Sequence, residues 1–166
     1  MSALDAAYAG ITRVVADLDD LDLLLPSGCH GWSIADLLLH LTLDAQRALW
    51  TDTAPAAVRA ADAADADGCV GTQGHVLVVP DFIATLVTEA VIHHLDLIVS
   101  LPGAAEPAPE AVAVALSTLD GLAAPDGLPR HWGEREALFK GAGRQDLDAT
   151  DRRALGGRAE LFPLLG

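Results

Sequence analysis

The stretch Phe82-Ile-Ala-Thr-Leu-Val-Thr-Glu-Ala-Val-Ile-His-His-Leu-Asp-Leu-Ile-Val99 is apolar on nearly every helical face, and it carries Glu89 and His93 one helical turn apart. Residues at i and i+4 share a face, so the carboxylate and the imidazole point the same way. A helix that is apolar all round belongs at the centre of a helical domain. Leu86, Ala90, Ile92 and Leu97 flank the pair, so neither group is expected to have an open face. A charge placed there is costly unless something neutralises it, and a divalent metal would do so. A third ligand stands in another apolar segment, Asp36-Leu-Leu-Leu-His-Leu-Thr-Leu43, at His40. The expected metal ligands are therefore His40, Glu89 and His93. Three protein ligands with an open position is the catalytic pattern for zinc. The N/N/O set suits Zn²⁺ and admits Ni²⁺, Fe²⁺ or Mn²⁺.

Two further carboxylates stand near the ligands in sequence. Asp96 is three residues past His93 and Asp44 four past His40, each on roughly its ligand's face. A carboxylate that takes the free imidazole N–H fixes the tautomer and raises ligand basicity. Asp44 has an alternative use as a helix-surface partner of Arg47. His94 points about 100° away from His93 and is expected beside the site, outside the ligand set. His30, His75 and His131 lie in loops or connections and receive no metal role.

Outward from this centre, the pattern predicts four main helices. The first runs over 3–24, capped by Ser2 and ended by Pro26-Ser-Gly-Cys-His-Gly31. Ser33-Ile-Ala-Asp36 opens the second in the manner of a capping box, with Trp32 placed as a hydrophobic staple, and it extends to about residue 50. Residues 51–74 are rich in Ala, Asp and Gly and read as a connection with one short helical turn near 56–64. Asp62, Asp65 and Asp67 lack calcium-loop spacing and read as a solvated acidic face. His75-Val-Leu-Val-Val79 has the look of a short strand, but Pro80, a first-turn proline, makes it the lead-in to the third helix over 81–100. The fourth runs from Pro107 to Leu122. The tail holds an extended piece (136–139), a tight turn Lys140-Gly-Ala-Gly-Arg144, and a short helix opened by Asp148 or Thr150 and closed by Gly156-Gly157. The expected architecture is all-α, a four-helix bundle in one domain over 1–166 with a short irregular C-terminal tail.

A net charge of −14, from ten basic and 24 acidic side chains, argues against nucleic acid or an anionic membrane as partner. No window reaches the ~20 apolar residues of a membrane span. The start has no basic leader region, so the expected location is cytoplasmic. Cys29 and Cys69 have neither metal-ligand nor disulfide spacing and are expected to be small buried hydrophobes.

The same residues carry a family resemblance. Gly31-Trp-Ser-Ile-Ala-Asp-Leu-Leu-Leu-His-Leu41 resembles the Gly-Trp-Ser/Thr-x3-Leu-x2-His-Leu signature of the DinB-like superfamily. Glu89-x3-His93-x2-Asp96 looks like the Glu-x3-His-x2-Asp signature of its mycothiol-dependent maleylpyruvate isomerase branch. Leu138-Phe-Lys-Gly-Ala-Gly-Arg144 and Asp151-Arg-x-x-Leu-Gly156 are similar to tails of bacterial members. The resemblance implies a four-helix bundle that holds a divalent metal, usually zinc, at His40, Glu89 and His93, with mycothiol as cosubstrate. The isomerase carries a further C-terminal domain for which these 166 residues leave no room, so the ligands carry over better than the substrate.

Two functions are therefore expected to compete. One is a metal-dependent thiol S-transferase or isomerase acting on a small electrophile, the thiol being held as thiolate at the metal. The other is a non-catalytic metal- or ligand-binding bundle, compatible with a homodimer. Arg47, Lys140 and Arg144 are the nearest candidates to meet an anionic substrate.

Overall fold

A computed structural model of the chain describes residues 2–42, 47–72 and 74–165, with the side chains of 42 and 47–52 left undescribed. Asp44 and the Arg47 side chain thus lie outside the described residues. In chain order the elements are α1 (Ala3–Asp17), a 3₁₀ turn (Asp22–Leu24), α2 (Ile34–Thr42) and α3 (Arg47–Ala63). A hairpin of β1 (Cys69–Thr72) and β2 (His75–Val78) follows. Then come α4 (Val79–Ile98), α5 (Pro109–Leu122), α6 (Glu134–Gly141), α7 (Ala149–Leu155) and a closing 3₁₀ segment (Gly156–Leu161). The protein is mostly helical, with one small antiparallel sheet. No helix among the described residues is long and apolar enough to cross a membrane.

Caps and local competition set the helix ends. The Ser2 hydroxyl accepts from the Asp5 N–H at 3.2 Å and starts α1. The helix was expected to reach residue 24 but stops at Asp17. The Asp19 carboxylate takes the N–H groups of Leu21 and Asp22, at 2.8 and 2.9 Å, while Asp22 takes that of Asp19 at 3.0 Å. Such side-chain acceptors compete directly with the helical ladder. The capping box of α2 forms as expected: Ser33 N–H donates to Asp36 Oδ2 at 2.9 Å and Asp36 N–H to Ser33 Oγ at 3.2 Å.

Three sequence expectations give way. Residues 51–63 belong to a helix that starts at Arg47 and runs through Pro55, where a connection with only one short helical turn near 56–64 was expected, because alanine is the best helix former and Ala54, Val58 and Ala61 pack on the core. Residues 69–78 form a hairpin in register Cys69↔Val78 to Thr72↔His75, so His75–Val78 is a paired strand. Gly74, at φ +83°, supplies the left-handed turn that closes it. Residues 134–141 are helical where an extended piece was expected. Here Glu136 accepts from the Gly133 N–H at 3.4 Å, and Ala137 and Leu138 are buried.

At the centre lies α4, packed against α1, α5 and α2. Val91 and Leu95, one turn apart, are buried on one side of it and Leu97 on the other, as an all-apolar helix requires. A second, smaller cluster joins Trp132, Ala137 and Leu155 beneath α6 and α7. Within it the Lys140 ammonium donates to Asp151 at 2.5 Å and to Glu136 at 2.6 Å, while the Trp132 indole N–H holds the other Asp151 oxygen at 2.5 Å. Lys140 and Asp151 have side chains 2% and 1% exposed. Burial would raise the Asp151 carboxyl, but the bonds from Lys140, the Asp148 backbone and Trp132, with the Lys140 charge, together outweigh it and hold the group well below the usual range. Burial likewise opposes the Lys140 charge, and the bonds to Asp151 and Glu136 outweigh it and raise the ammonium.

Two measurements check this cluster. Lys140→Met leaves Asp151 buried and unpaired, and should cost about 3–5 kcal/mol in urea unfolding. The Asp151 contribution is present above its unfolded value of ~4 and is lost as pH falls through the lower folded value. The Lys140 contribution is present below its unfolded value of ~10.4 and is lost at higher pH.

Candidate metal centre and adjoining cleft

Helix α4 aims His93 and Asp96 into one buried spot. His93 Nδ1 lies 3.1 Å from Asp96 Oδ2, and its Nε2 lies 3.4 Å from Glu89 Oε2. Across from them, α2 brings the His40 ring edge-on to His93, with centroids 5.2 Å apart. The three sequence-predicted ligands are thus neighbours, and Asp96 meets the imidazole nitrogen turned away from Glu89. The expectation that the pair has no open face holds only for His93. The Glu89 side chain is 58% exposed and His40 is exposed. His94 turns away as expected and is buried, its Nε2 2.9 Å from the Ala105 carbonyl. Among the described residues its Nδ1 has no partner.

Neutralisation is local. The hydrogen bond to His93 is the main cause that lowers the Glu89 carboxyl. Burial opposes charge on His93, but Asp96 and then Glu89 outweigh it and raise the imidazole. Burial also opposes charge on Asp96, which is nevertheless lowered by the bonds from His93 and Arg144. Arg144 grips this carboxylate from the tail: Nε is 3.1 Å from Oδ1 and Nη2 2.8 Å from Oδ2.

Loop 26–33 closes the spot from the other side. Gly28 N–H donates to the Asp96 carbonyl at 2.8 Å, and the Ser100 hydroxyl donates to the Pro26 carbonyl at 2.7 Å. The Cys29 thiol donates to Asp96 Oδ2 at 3.2 Å. Burial and then the Asp96 charge push that thiol up to about 11. Neither cysteine is a fully buried hydrophobe: Cys29 is half-buried and polar-bonded, and Cys69 is exposed on β1. Trp32 packs edge-on against His40, with centroids 5.2 Å apart. Between this loop and Gly143–Arg144 opens a cleft of about 790 Å³, none of whose lining side chains is acidic.

A second donor group overlaps the first. Ligand atoms of Cys29, His93 and Asp96 lie within 4.8 Å of one another. One fact counts against a cation there: the Arg144 guanidinium already occupies Asp96. Of the three basic candidates for substrate contact, Lys140 is buried in its own ion cluster, Arg47 is undescribed at its side chain, and Arg144 borders the cleft. The roles of Gly28, Cys29 and Arg144 around Asp96 left no local trace in the sequence, since Cys29 is 67 residues and Arg144 48 residues from that carboxylate.

Gly28 is fitted to its place: a Cβ there would overlap Asp96 Oδ1 and sit 2.9 Å from its Cα. Gly28→Ala should therefore cost about 1–3 kcal/mol in thermal unfolding. Gly121→Ala, where nothing lies within 4 Å of the added carbon, should cost nothing measurable.

No curated protein and no solved structure matches the chain. Glu89, His93, Asp96 and Arg144 lie beyond the segment for which a family model matches, and Cys29 and His40 lie within it. That segment, residues 4–49, matches the model of the mycothiol maleylpyruvate isomerase N-terminal domain, the branch that the motif residues resemble.

Proposed function

We propose that the protein is a divalent-metal-dependent enzyme that uses a low-molecular-weight thiol, mycothiol by the family match, in S-transfer or isomerisation of a small electrophile. One observation carries the reading: His93 Nε2 faces Glu89 Oε2 at 3.4 Å while Nδ1 is engaged by Asp96. With the Nδ1–H donated to Asp96, Nε2 keeps its lone pair. Two electron pairs that face each other need a cation between them, either a proton or a metal. The adjacent His40 imidazole offers a further nitrogen, and the resulting N/N/O donor set fits zinc or nickel.

In this reading α1, α2 with α3, α4 and α5 serve as a four-helix bundle whose facing helices α2 and α4 supply the ligands. His40, Glu89 and His93 would hold the ion. When bound, such an ion supplies the Lewis acidity that keeps a thiol deprotonated near neutral pH. The chain's own residues do the rest. Asp96 fixes the His93 tautomer, the exposed side of Glu89 leaves an approach from solvent, and the cleft beside Trp32 receives the electrophile. Asp44 stands as the corresponding partner proposed for His40.

A non-catalytic reading, in which the metal serves stability or ligand sensing, draws on Arg144. Its charge is spent on Asp96, which leaves the cleft poorly equipped to clamp an anionic substrate.

Elemental mass spectrometry of the untagged protein should find one equivalent of zinc or nickel, lost in His40→Ala and in Glu89→Ala. The loaded parent should then transfer a small thiol to at least one of a panel of electrophiles. A metal-free parent would refute the metal reading. A loaded parent without thiol chemistry, with His40→Ala less heat-stable, would establish the non-catalytic one.

A further inference from the structure

The tail after α6 is tied to the candidate metal centre by a single side chain. Arg144 N–H donates to the Phe139 carbonyl at 2.7 Å and Gly143 takes φ +70°, and Gly143 and Arg144 line the cleft together with loop 26–33. The Arg144 guanidinium then commits three of its nitrogens. Nε and Nη2 hold the two oxygens of Asp96, and Nη1 donates to the Ala142 carbonyl at 2.9 Å. A guanidinium bound in this way is ill placed to grip a substrate, although it borders the cleft. Asp96 itself is 1% exposed and has few ways to turn, with the Gly28 backbone against its Cα and the Cys29 thiol on Oδ2.

We propose that Arg144 is a positioning residue for the metal centre: through its two-pronged hold on Asp96 it sets that carboxylate so that Oδ2 takes the His93 Nδ1 proton and Nε2 is left as the donor facing Glu89. The proposal deepens the metal-dependent reading and rests on it. It makes the C-terminal tail part of the site. The fork geometry matters here, because a lysine can supply the charge but not two parallel N–H bonds.

The test compares the full-length parent with Arg144→Met and Arg144→Lys. Zn²⁺ and Co²⁺ affinities are measured by calorimetry, the Co²⁺ absorption spectrum is recorded, and metal-free thermal unfolding serves as the control. Loss of a partner behind a metal ligand lowers affinity roughly 10–100-fold. Arg144→Met should show that loss with an altered cobalt spectrum, and Arg144→Lys should recover only part of the affinity while melting near the parent. Parent-like affinity and spectrum in Arg144→Met, even with a lowered melting temperature, would reduce Arg144 to a structural tie and overturn the proposal. The His93 tautomer, read by nitrogen-15 NMR of the metal-free proteins at mildly alkaline pH, separates this failure from that of the metal reading. A parent that binds no metal refutes the metal reading. The tautomer then decides the positioning role: Nδ1–H in the parent and a mixture in Arg144→Met supports it, and the same form in both overturns it.

Discussion

A carboxylate inside a helical core must be met by donors, and Asp96 organises the surrounding chain on that ground. Its position on α4 is fixed by the packing of Leu95 and Leu97 on either side. His93 from its own helix, Cys29 from the loop before α2 and Arg144 from the tail all converge on it. Each removes part of the cost of burying the charge. Loop 26–33 and the tail, distant in sequence, are thereby held against the same turn of α4, and the cleft between them follows from that pairing.

The protein holds a second buried ion pair, Lys140 with Asp151, and the contrast between the two is informative. Lys140–Asp151 is sealed among Trp132, Glu136 and Asp148, with both ends committed to backbone or side-chain partners. It pins α6 to α7. Asp96–Arg144 has one end next to the His93 imidazole and the other at the cleft wall. The first arrangement serves the fold. The second connects the fold to a group capable of binding a metal.

Much of this was legible in the sequence, for identifiable reasons. The all-apolar run around Glu89 and His93 marked α4 as central, because only a helix covered on all sides tolerates that pattern. Ser2, Ser33 with Asp36, and Asp148 announced their helix starts through cap chemistry that acts within four residues. What depended on competition was less visible: the Asp19–Asp22 turn that ends α1, and the alanine-rich α3 that looked like a linker. The β1–β2 hairpin was half visible: the apolar run at 75–79 suggested a strand, but Pro80 directed the reading to a helix lead-in and nothing in Cys69–Thr72 marked its partner. At the site, the spacing of Glu89, His93 and Asp96 on one helix could be read directly. Their exposure could not, since it depends on how the other helices pack around α4 and not on spacing within it. Nor could the contacts of Cys29 and Arg144 be read, since they join segments with no shared periodicity.

The central claim is that His40, Glu89 and His93 form the donor set, with Cys29 and Arg144 acting behind Asp96. X-ray absorption at the zinc edge of the loaded protein, in a buffer with no thiol, tests it most directly. Only nitrogen and oxygen neighbours at about 2.0–2.1 Å, with the outer-shell scattering of two imidazoles, are predicted. A sulfur neighbour at about 2.3 Å would place the metal on Cys29 and contradict the claim.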